Sequence, residues 1–236
     1  MLYLLISVLL STSVFSEVGK FLKIEGERDA QILRASGNIV PVIDGDIEEG
    51  DEIKTNNSIV LFYLYPSTQI LLNKNSKIQI TQALIEESTE GEENTSIIKL
   101  IKGIIRLQTN KDVIQNINHV VNVGVVSFGV RGTDFEVNAE AEDVDLDVFE
   151  GEVTVNSPHV QTFVPEVVKA KEGFRYSRKK KEFIRRKFQP KLKNNPGFMA
   201  QENLRGRWKK LREERKLRRA NNKVVKKERS VKRKKQ

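Results

Sequence analysis

Three carboxylates occupy alternate positions in one short stretch of the chain, at Asp143, Asp145 and Asp147. Neighbouring carboxylates can act as general acid and general base, provided that an apolar environment raises the pKa of one of them. In an extended chain, alternate residues lie about 7 Å apart on one side, while Val144 and Leu146 point to the other side. The spacing therefore favours a solvated acidic side of a strand over a catalytic pair.

The two histidines, His119 and His159, lie outside any motif typical of a nucleophile, a metal-binding helix or a phosphate loop. We interpret each as a surface or strand-end residue. The chain has no cysteine, which excludes a disulfide, a thiol nucleophile and a zinc site built on thiolates. The sequence thus predicts a protein that is not an enzyme, with no catalytic, metal or cofactor site.

Two further charged features could bind a ligand. The acidic run from Asp44 to Glu52 has its glycine, Gly50, at position seven, whereas an EF-hand calcium loop needs glycine at position six. We therefore expect an exposed acidic turn that precedes a strand. The second feature is Arg131, which either fixes a corner by pairing with Asp134 or Glu150 or contacts a ligand.

The segment 125–157 must position most of these residues, and it alternates apolar and polar side chains with the period of a half-buried strand. Val144, Leu146 and Val148 form one apolar side, and Val153 and Val155 form another. Glycine-containing corners at 129–132 and 150–152 interrupt the alternation. The pattern predicts short strands joined by tight turns.

The corner sequences resemble the signature of the FecR domain family. Residues 129–137 (GVRGTDFEV) and 148–155 (VFEGEVTV) resemble its two main blocks, 50–55 (GDEIKT) resembles its first turn, and 97–107 (IIKLIKGIIRL) resembles its strand, glycine, strand segment. The resemblance covers roughly residues 20 to 157. The motif positions are Gly50, Asp51, Ile53, Thr55, Gly103, Val130, Arg131, Gly132, Thr133, Phe135, Val137, Gly151 and Val153.

Short β-forming runs also recur upstream, at 18–43, 59–65, 69–72 and 77–82, with little helical periodicity. We therefore predict an all-β domain over residues 17–176. The resemblance implies a solenoid-like stack of short strands, whereas the sequence alone equally allows a β-sandwich. We expect a flexible loop at Glu86–Ser96, and we expect Val164, Val167, Val168 and Phe174 to close the body.

The first 16 residues (MLYLLISVLLSTSVFS) have the apolar run and small C-terminal residues of a secretory signal, although the run lacks a Lys or Arg before it. We predict cleavage before Glu17 and export to the periplasm or beyond. A core strand at the N-terminus is the alternative. No segment approaches the roughly 20 apolar residues of a membrane span, so we expect none in the mature chain.

Charge divides the chain sharply. Residues 1–176 hold 15 Lys and Arg against 27 Asp and Glu, whereas 177–236 hold 26 against 5, a net charge of +21. We predict a basic, partly helical or disordered tail, with Leu204, Trp208 and Leu211 on one helical side. Because of its net positive charge, a tail that extends from the body would attract and bind anions. Its candidate anion-binding residues are Arg185, Arg186, Lys187, Arg207, Lys209, Lys210, Arg212 and Arg215.

Three functions fit these features. The first is an exported, non-enzymatic module that binds a protein or an anionic envelope component such as lipid or lipopolysaccharide, retained there by its tail. The second, implied by the resemblance, is a periplasmic part of an iron-type system that controls a sigma factor. The third is nucleic-acid binding, which requires an uncleaved N-terminus and is disfavoured by export. The opposite charges could also drive self-association.

Overall fold

The computed structural model of the protein describes residues 17–65, 68–88, 91–109, 117–130, 132–140, 142–157 and 164–192, together with Lys210, Glu213 and Leu217. At 83–88, 91–94 and Ile117 the description is of the backbone only. The predicted signal peptide, Arg131, His159 and most of the basic tail lie outside these residues. Within the described ranges, no helix has the length and apolar character that a membrane crossing requires.

The described chain forms 17 β-strands, which confirms the prediction of an all-β body. β-branched and aromatic residues are frequent in them because such side chains pack well on a pleated surface. The strands are β1 (Glu17–Glu25), β2 (Gln31–Arg34), β3 (Gly37–Ile39), β4 (Asp46–Glu48), β5 (Glu52–Lys54), β6 (Ile59–Leu64), β7 (Thr68–Leu72), β8 (Lys77–Ser88), β9 (Gly91–Thr109), β10 (Ile117–Val123), β11 (Val126–Val130), β12 (Asp134–Ala139), β13 (Asp143–Glu150), β14 (Glu152–Asn156), β15 (Glu166–Lys169), β16 (Glu172–Ser177) and β17 (Glu182–Lys187).

Strand pairing divides the body into two layers. Layer A has the order β4-β1-β6-β7-β9-β12-β13-β16-β17. Layer B has the order β3-β2-β5-β8-β9-β10-β11-β14-β15. If the edge strands β3 and β4 are left out, the strands of each layer lie side by side in the order in which they occur in the sequence. The described strands thus form two facing layers that share β9, and in each layer these strands follow one another in chain order.

The long strand β9 belongs to both layers. Its first part pairs with β8 and β10 in layer B, and its last part, from Gly103 onward, pairs with β7 and β12 in layer A. Gly103 has φ +96°, a conformation that L side chains rarely adopt. A Cβ at Gly103 would lie 2.5 Å from the Cα of Ser76, so the chain can cross between the layers here only at a glycine.

A single apolar core fills the space between the layers. Phe62 and Phe135 reach it from layer A, and Ile53 and Phe128 reach it from layer B. Each of these side chains is at most 1% exposed, and burying one contributes roughly 1.5–3 kcal/mol relative to leaving it in water. The alternation predicted for β13 and β14 is correct, because Val144, Leu146, Val148, Val153 and Val155 all lie in this core.

The structure differs from the sequence-based expectation at Glu86–Ser96. Instead of a flexible loop, β8 and β9 continue as a hairpin with Ser88 opposite Gly91. The backbone ladder extends the well-ordered pairing of Ile80 and Ile98, so the polar composition of the segment does not end the strands. Strands pair through backbone hydrogen bonds, so polar side chains do not prevent pairing. The apolar residues that come before this segment in β8 fix the register of the hairpin.

The C-terminal boundary of the body also differs. We expected the body to end at Tyr176, but β17 lies beyond it and pairs with β16. Val168 and Phe174 are buried as expected, whereas Val164 is 75% exposed and Val167 is 40% exposed. Residues 1–192 carry 23 Lys and Arg against 28 Asp and Glu, a net charge of only −5. The folded body is therefore much less acidic than the sequence division suggested.

Candidate functional site

Asp51, in the first family block, is a structural anchor. Its carboxylate accepts hydrogen bonds from Nε and Nη2 of Arg34, both at 2.7 Å, and from the backbone N–H of Glu48 at 2.9 Å. The side chain of Asp51 is 0% exposed. The hydrogen bond from Arg34 to Asp51 raises the pKa of the guanidinium. These contacts join the end of β2 to the turn between β4 and β5, so the acidic run is not simply an exposed turn.

The other residues of this block are structural as well. Gly50 has φ +93° at the turn, and Ile53 lies in the core. The hydroxyl of Thr55 donates to the carbonyl of Asn73 at 2.5 Å and accepts from the N–H of Ser76 at 3.0 Å. Among the residues that the structure describes, no group of His, Asp or Glu is arranged to hold a metal ion.

The remaining family positions build two corners between the layers. Gly132 (φ +62°) and Gly151 (φ +78°) lie at these corners, where a Cβ on Gly151 would be 2.7 Å from Cγ2 of Thr133. The adjacent carboxylate of Asp134 accepts two hydrogen bonds from Arg106, each of 2.8 Å. Arg131 lies outside the described residues. The other motif side chains enter the core: Val130, Phe135, Val137 and Val153.

The outer face of layer A, which points away from layer B, holds the carboxylates considered above as possible acids or bases. Asp145 accepts from Nε and Nη2 of Arg175 at 2.6 and 2.9 Å, and Asp147 pairs with Arg186. The side chain of Asp147 is 2% exposed. Our expectation of a solvated acidic side was therefore wrong, because β16 and β17 bring guanidinium groups over it.

The first three candidate anion-binding residues lie on β17. Arg186 pairs with Asp147, and Arg185 contacts Glu166 and Glu172 at 3.3 and 3.0 Å. Lys187 is exposed. Of the remaining candidates, Lys210 is described, with helical backbone and an exposed side chain, whereas Arg207, Lys209, Arg212 and Arg215 lie outside the described residues. Anion binding by these residues stays a prediction.

After β17, residues 188–192 form a strap over the outer face of layer A. The N–H of Gln189 donates to Asp147 at 2.8 Å, and the N–H groups of Lys191 and Leu192 donate to Glu136 at 2.8 and 2.7 Å. Nη1 of Arg106 donates to the carbonyl of Leu192 at 3.0 Å. The strap is thus held by buried polar groups on β13, β12 and β9.

His119 is buried rather than at the surface, which corrects our expectation. Its Nδ1 lies 2.6 Å from Oγ of Ser96, and its Nε2 makes a short contact with Oγ1 of Thr68. Burial lowers the pKa of His119 from 6.5 to about 4. The imidazole is therefore neutral at pH 7, and both of its ring nitrogens are held by side-chain hydroxyl groups. The sequence does not reveal this, because Thr68 and Ser96 are distant in the chain.

An exposed apolar patch lies at the N-terminal end of the body. Ile39, Val40, Val42 and Ile43, which we call the N-terminal patch, have 37%, 60%, 61% and 57% of their surface exposed. Three of its residues, Val40, Val42 and Ile43, line a groove of about 290 Å³ together with Ile24, Arg28, Ala30 and Pro41. Large apolar side chains clustered at a surface are typical of protein interaction sites.

The sequence analysis did not identify the N-terminal patch, because an apolar run of this length also fits a buried strand. Pro41 is the residue in the sequence that could have indicated an exposed run. Proline cannot donate to a strand ladder, so a run with proline at its centre is suited to an edge or a loop. In the structure, β3 ends at Ile39 and the following residues are not in a strand. The side chains of Val40, Val42 and Ile43 accordingly remain more than half exposed.

Comparisons with known proteins agree with the arrangement of the motif residues. The family model described as FecR protein matches residues 51–154. A comparison with curated proteins finds no match. Two crystal structures of a candidate anti-sigma factor from Parabacteroides distasonis, at 1.65 and 2.50 Å resolution, are each 16% identical with a TM-score of 0.48. Each alignment covers 58% of this chain and 60% of that chain, which is less than two thirds of its length. The family match confirms the prediction of a FecR domain, over residues 51–154 of this chain.

Proposed function

We propose that this chain is an exported, non-enzymatic FecR-domain module that binds a protein partner through the N-terminal patch. The observation that carries the proposal is the exposure of the four large apolar side chains of this patch, three of which, Val40, Val42 and Ile43, line one groove. Removing apolar surface from water contributes about 25 cal/mol per Å², so such a patch favours association. The motif residues, by contrast, support the fold from inside.

The chemistry of the patch suggests the form of the partner. The adjoining strand β3 pairs with β2, and its three residues are exposed. Backbone groups on the other side of such an edge strand can pair with an extended segment of another chain. We therefore propose a partner that presents an extended segment with apolar residues, which would lie along β3 and place its side chains in the groove.

Site-specific photo-crosslinking in cells tests this proposal. A benzophenone amino acid in place of Val42 should give a covalent adduct with a protein, and Val40→Asp in the same chain should abolish it. Val164 provides the matched control, because it is 75% exposed but lies in another part of the sequence and the fold. Adducts of equal yield from both positions, or none from Val42, would contradict binding at the patch.

Export remains part of the proposal, supported by the apolar run and small residues of 1–16. Cell fractionation with mass spectrometry of the N-terminus tests it. A mature chain beginning at Glu17 in the periplasmic or outer fraction is the expected result. An intact Met1 in the cytosol would overturn export and would favour the nucleic-acid alternative.

We further propose that the basic tail retains the protein at an anionic envelope component. Residues 193–236 hold 18 Lys and Arg against 4 Asp and Glu, a net charge of +14, which attracts anionic lipid headgroups until salt screens it. Co-sedimentation of the full chain with anionic vesicles should fall as salt rises. Substituting Arg207, Lys209, Arg212 and Arg215 by Gln should weaken it, whereas substituting the ion-paired Arg185 should have little effect.

A sigma-factor signalling role is the second candidate, and the FecR family match over residues 51–154 supports it. In this form, the partner at the N-terminal patch would be a component of an envelope sensor. Deleting the gene and measuring the transcripts of the sigma factors of the organism under iron limitation tests the idea. Unchanged transcripts would leave the binding proposal intact and remove the regulatory one.

A further inference from the structure

The long strand β9 changes partners where it passes from layer B to layer A, and a groove of about 520 Å³ lies at this change. β9 pairs with β10 up to Lys99, which lies opposite Asn122, and with β12 from Gly103, which lies opposite Ala139. In the described part of the chain, no strand on this side of β9 pairs with residues 100–102. We call the opening at this gap the β9 groove.

The inner surface of the β9 groove is apolar. Leu100 and Val123, each 1% exposed, and the partly buried Val125 connect it to the core between the layers. Ile101, which also lines the groove, is 39% exposed. The pairing of β8 with β9 shifts register here and leaves Ile101 as the extra residue of a β-bulge, a feature that redirects a side chain. A ligand in the groove would therefore contact aliphatic side chains.

Three polar side chains line the same groove. Lys99, on β9, and Arg178, just after β16, are exposed cations, and neither forms an ion pair with a described residue. Tyr176 is 6% exposed, and its hydroxyl forms no hydrogen bond with any described residue. A buried tyrosine hydroxyl usually has such a partner. The hydroxyl thus remains available as a donor to a molecule in the groove.

The cations of the β9 groove differ from others on the neighbouring strands. Arg175 pairs with Asp145 and Arg185 pairs with Glu172, whereas none of the described residues that line the groove is acidic. The groove consequently combines uncompensated positive charge with an apolar inner surface. The charge attracts anions, and the burial of apolar surface favours a ligand that has an apolar body.

We infer that the β9 groove binds an amphiphilic anion, that is, a small molecule with an apolar body and one carboxylate or phosphate group. The apolar body would cover the aliphatic inner surface, while the anionic group would accept hydrogen bonds from Lys99, Arg178 and the Tyr176 hydroxyl. The volume of about 520 Å³ lies within the range of small-molecule sites, roughly 300–1,000 Å³. The β9 groove shares no lining residue with the groove at the N-terminal patch, so the inference does not depend on the proposed function.

Calorimetric titration of the full chain with three ten-carbon probes tests the inference. Decanoate and decyl phosphate should bind, and the tighter of the two identifies the preferred anionic group. Decanol, which has the same apolar body without the charge, should bind roughly tenfold more weakly than the preferred anion. Decanol that binds as tightly as both anions, or no binding of either anion, would overturn the inference.

Two matched substitutions locate the bound probe. Ile101→Asp puts a carboxylate at the β9 groove and should weaken decanoate binding about tenfold, because it repels the anion and removes apolar contact. Ile184→Asp is the control and should bind like the parent chain, since Ile184 is 40% exposed on β17, outside the groove. The basic tail is identical in both variants. Equal affinities would therefore assign the binding to another part of the chain and overturn the inference.

Milder substitutions test the polar groups with less disturbance of the fold. Tyr176→Phe keeps the ring and removes only the hydroxyl, so it should weaken decanoate binding roughly fivefold. Arg178→Gln should weaken it by a similar factor, whereas Lys179→Gln removes a neighbouring exposed cation that does not line the groove and should have no effect. Urea unfolding checks that each variant is as stable as the parent chain. Parent affinity in both Tyr176→Phe and Arg178→Gln would overturn the inference.

Discussion

The carboxylate of Glu136 accepts a 2.7 Å hydrogen bond from the backbone N–H of Leu192, which lies 56 positions further along the chain. A second bond, from the N–H of Lys191, is 2.8 Å long. Burial raises the pKa of Glu136, and these two bonds act in the opposite direction. A strand of the family motif thus fixes the strap that follows the last strand of the body.

Glu136→Ala should destabilise the protein by roughly 2 kcal/mol, because it leaves the N–H of Leu192 without its acceptor in a buried position. Urea unfolding measures the free energy. Glu140→Ala is the matched control, since Glu140 contacts the same strap through the exposed ammonium of Lys191. The control should change stability by less than about 1 kcal/mol. Equal losses in both variants would contradict a special role for Glu136.

Asp51→Asn should cost roughly 1.5–3 kcal/mol, because the mostly buried guanidinium of Arg34 loses its two-point carboxylate partner and keeps only its ion pair with Glu48. Thermal or urea unfolding gives the free energy. Glu52→Gln, at the neighbouring position, removes a partly exposed pair with Lys77 and should cost about 1 kcal/mol or less. A stable Asp51→Asn variant with lost partner binding would instead make Asp51 a ligand residue.

Gly103→Ala should destabilise the protein by roughly 3 kcal/mol, the sum of a strained φ and a clash with Ser76. Gly37→Ala separates the two causes. Gly37 also has a positive φ, +130°, but a Cβ there would meet nothing within 4 Å, so its cost should be about 1 kcal/mol. Equal unfolding free energies for the two variants would show that the crossing of β9 tolerates a side chain.

Stability should fall as the pH is lowered from 6.5 toward 4, because His119 has a pKa of about 4 when folded and an ordinary value of 6.5. In this window the unfolded chain binds the proton and the folded chain does not, so acid favours unfolding. The full loss is roughly 3 kcal/mol. Above pH 6.5, both states are neutral at this residue and the contribution is complete.

Urea unfolding at several pH values measures this slope. His119→Gln should flatten the slope between pH 6.5 and 5, where few carboxylates titrate, while His159→Gln should keep the slope of the parent chain. If His159→Gln flattens it instead, the other histidine is responsible for the acid sensitivity.

Local pattern was enough to predict strands β13 and β14, but it did not predict which residues cover the outer side of layer A. Val144, Leu146 and Val148 are buried as their alternation indicates, because period-two polarity requires one apolar side. The opposite side holds Asp145 and Asp147, which a sequence pattern assigns to water. The partner of Asp147, Arg186, is 39 positions away in a basic run that was interpreted as tail, so its pairing could not be inferred from spacing.

The candidate interaction surface was missed for a related reason. The residues of the N-terminal patch have strand-like character, and only the three-dimensional arrangement shows that no layer covers Val40 and Val42. Motif positions such as Asp51 and Gly151 were easier to identify. Asp51 forms a buried ion pair with Arg34, and a Cβ at Gly151 would clash with Thr133, so few other residue types fit at either position. The motif therefore led to the fold, while the proposed interaction surface at the N-terminal patch lies outside the matched range 51–154.

The order in which strands join the two layers also has a consequence for how the molecule is made. From β3 onward, each strand pairs with at least one strand that precedes it in the sequence, so the body can assemble strand by strand from its N-terminal end during synthesis. The strap arrives last, and Arg106 must reach a carbonyl 86 positions downstream to receive it. The strap can be fixed only once residues 188–192 are present, so a chain that ends before Leu192 would lack the contacts of Leu192 with Glu136 and Arg106.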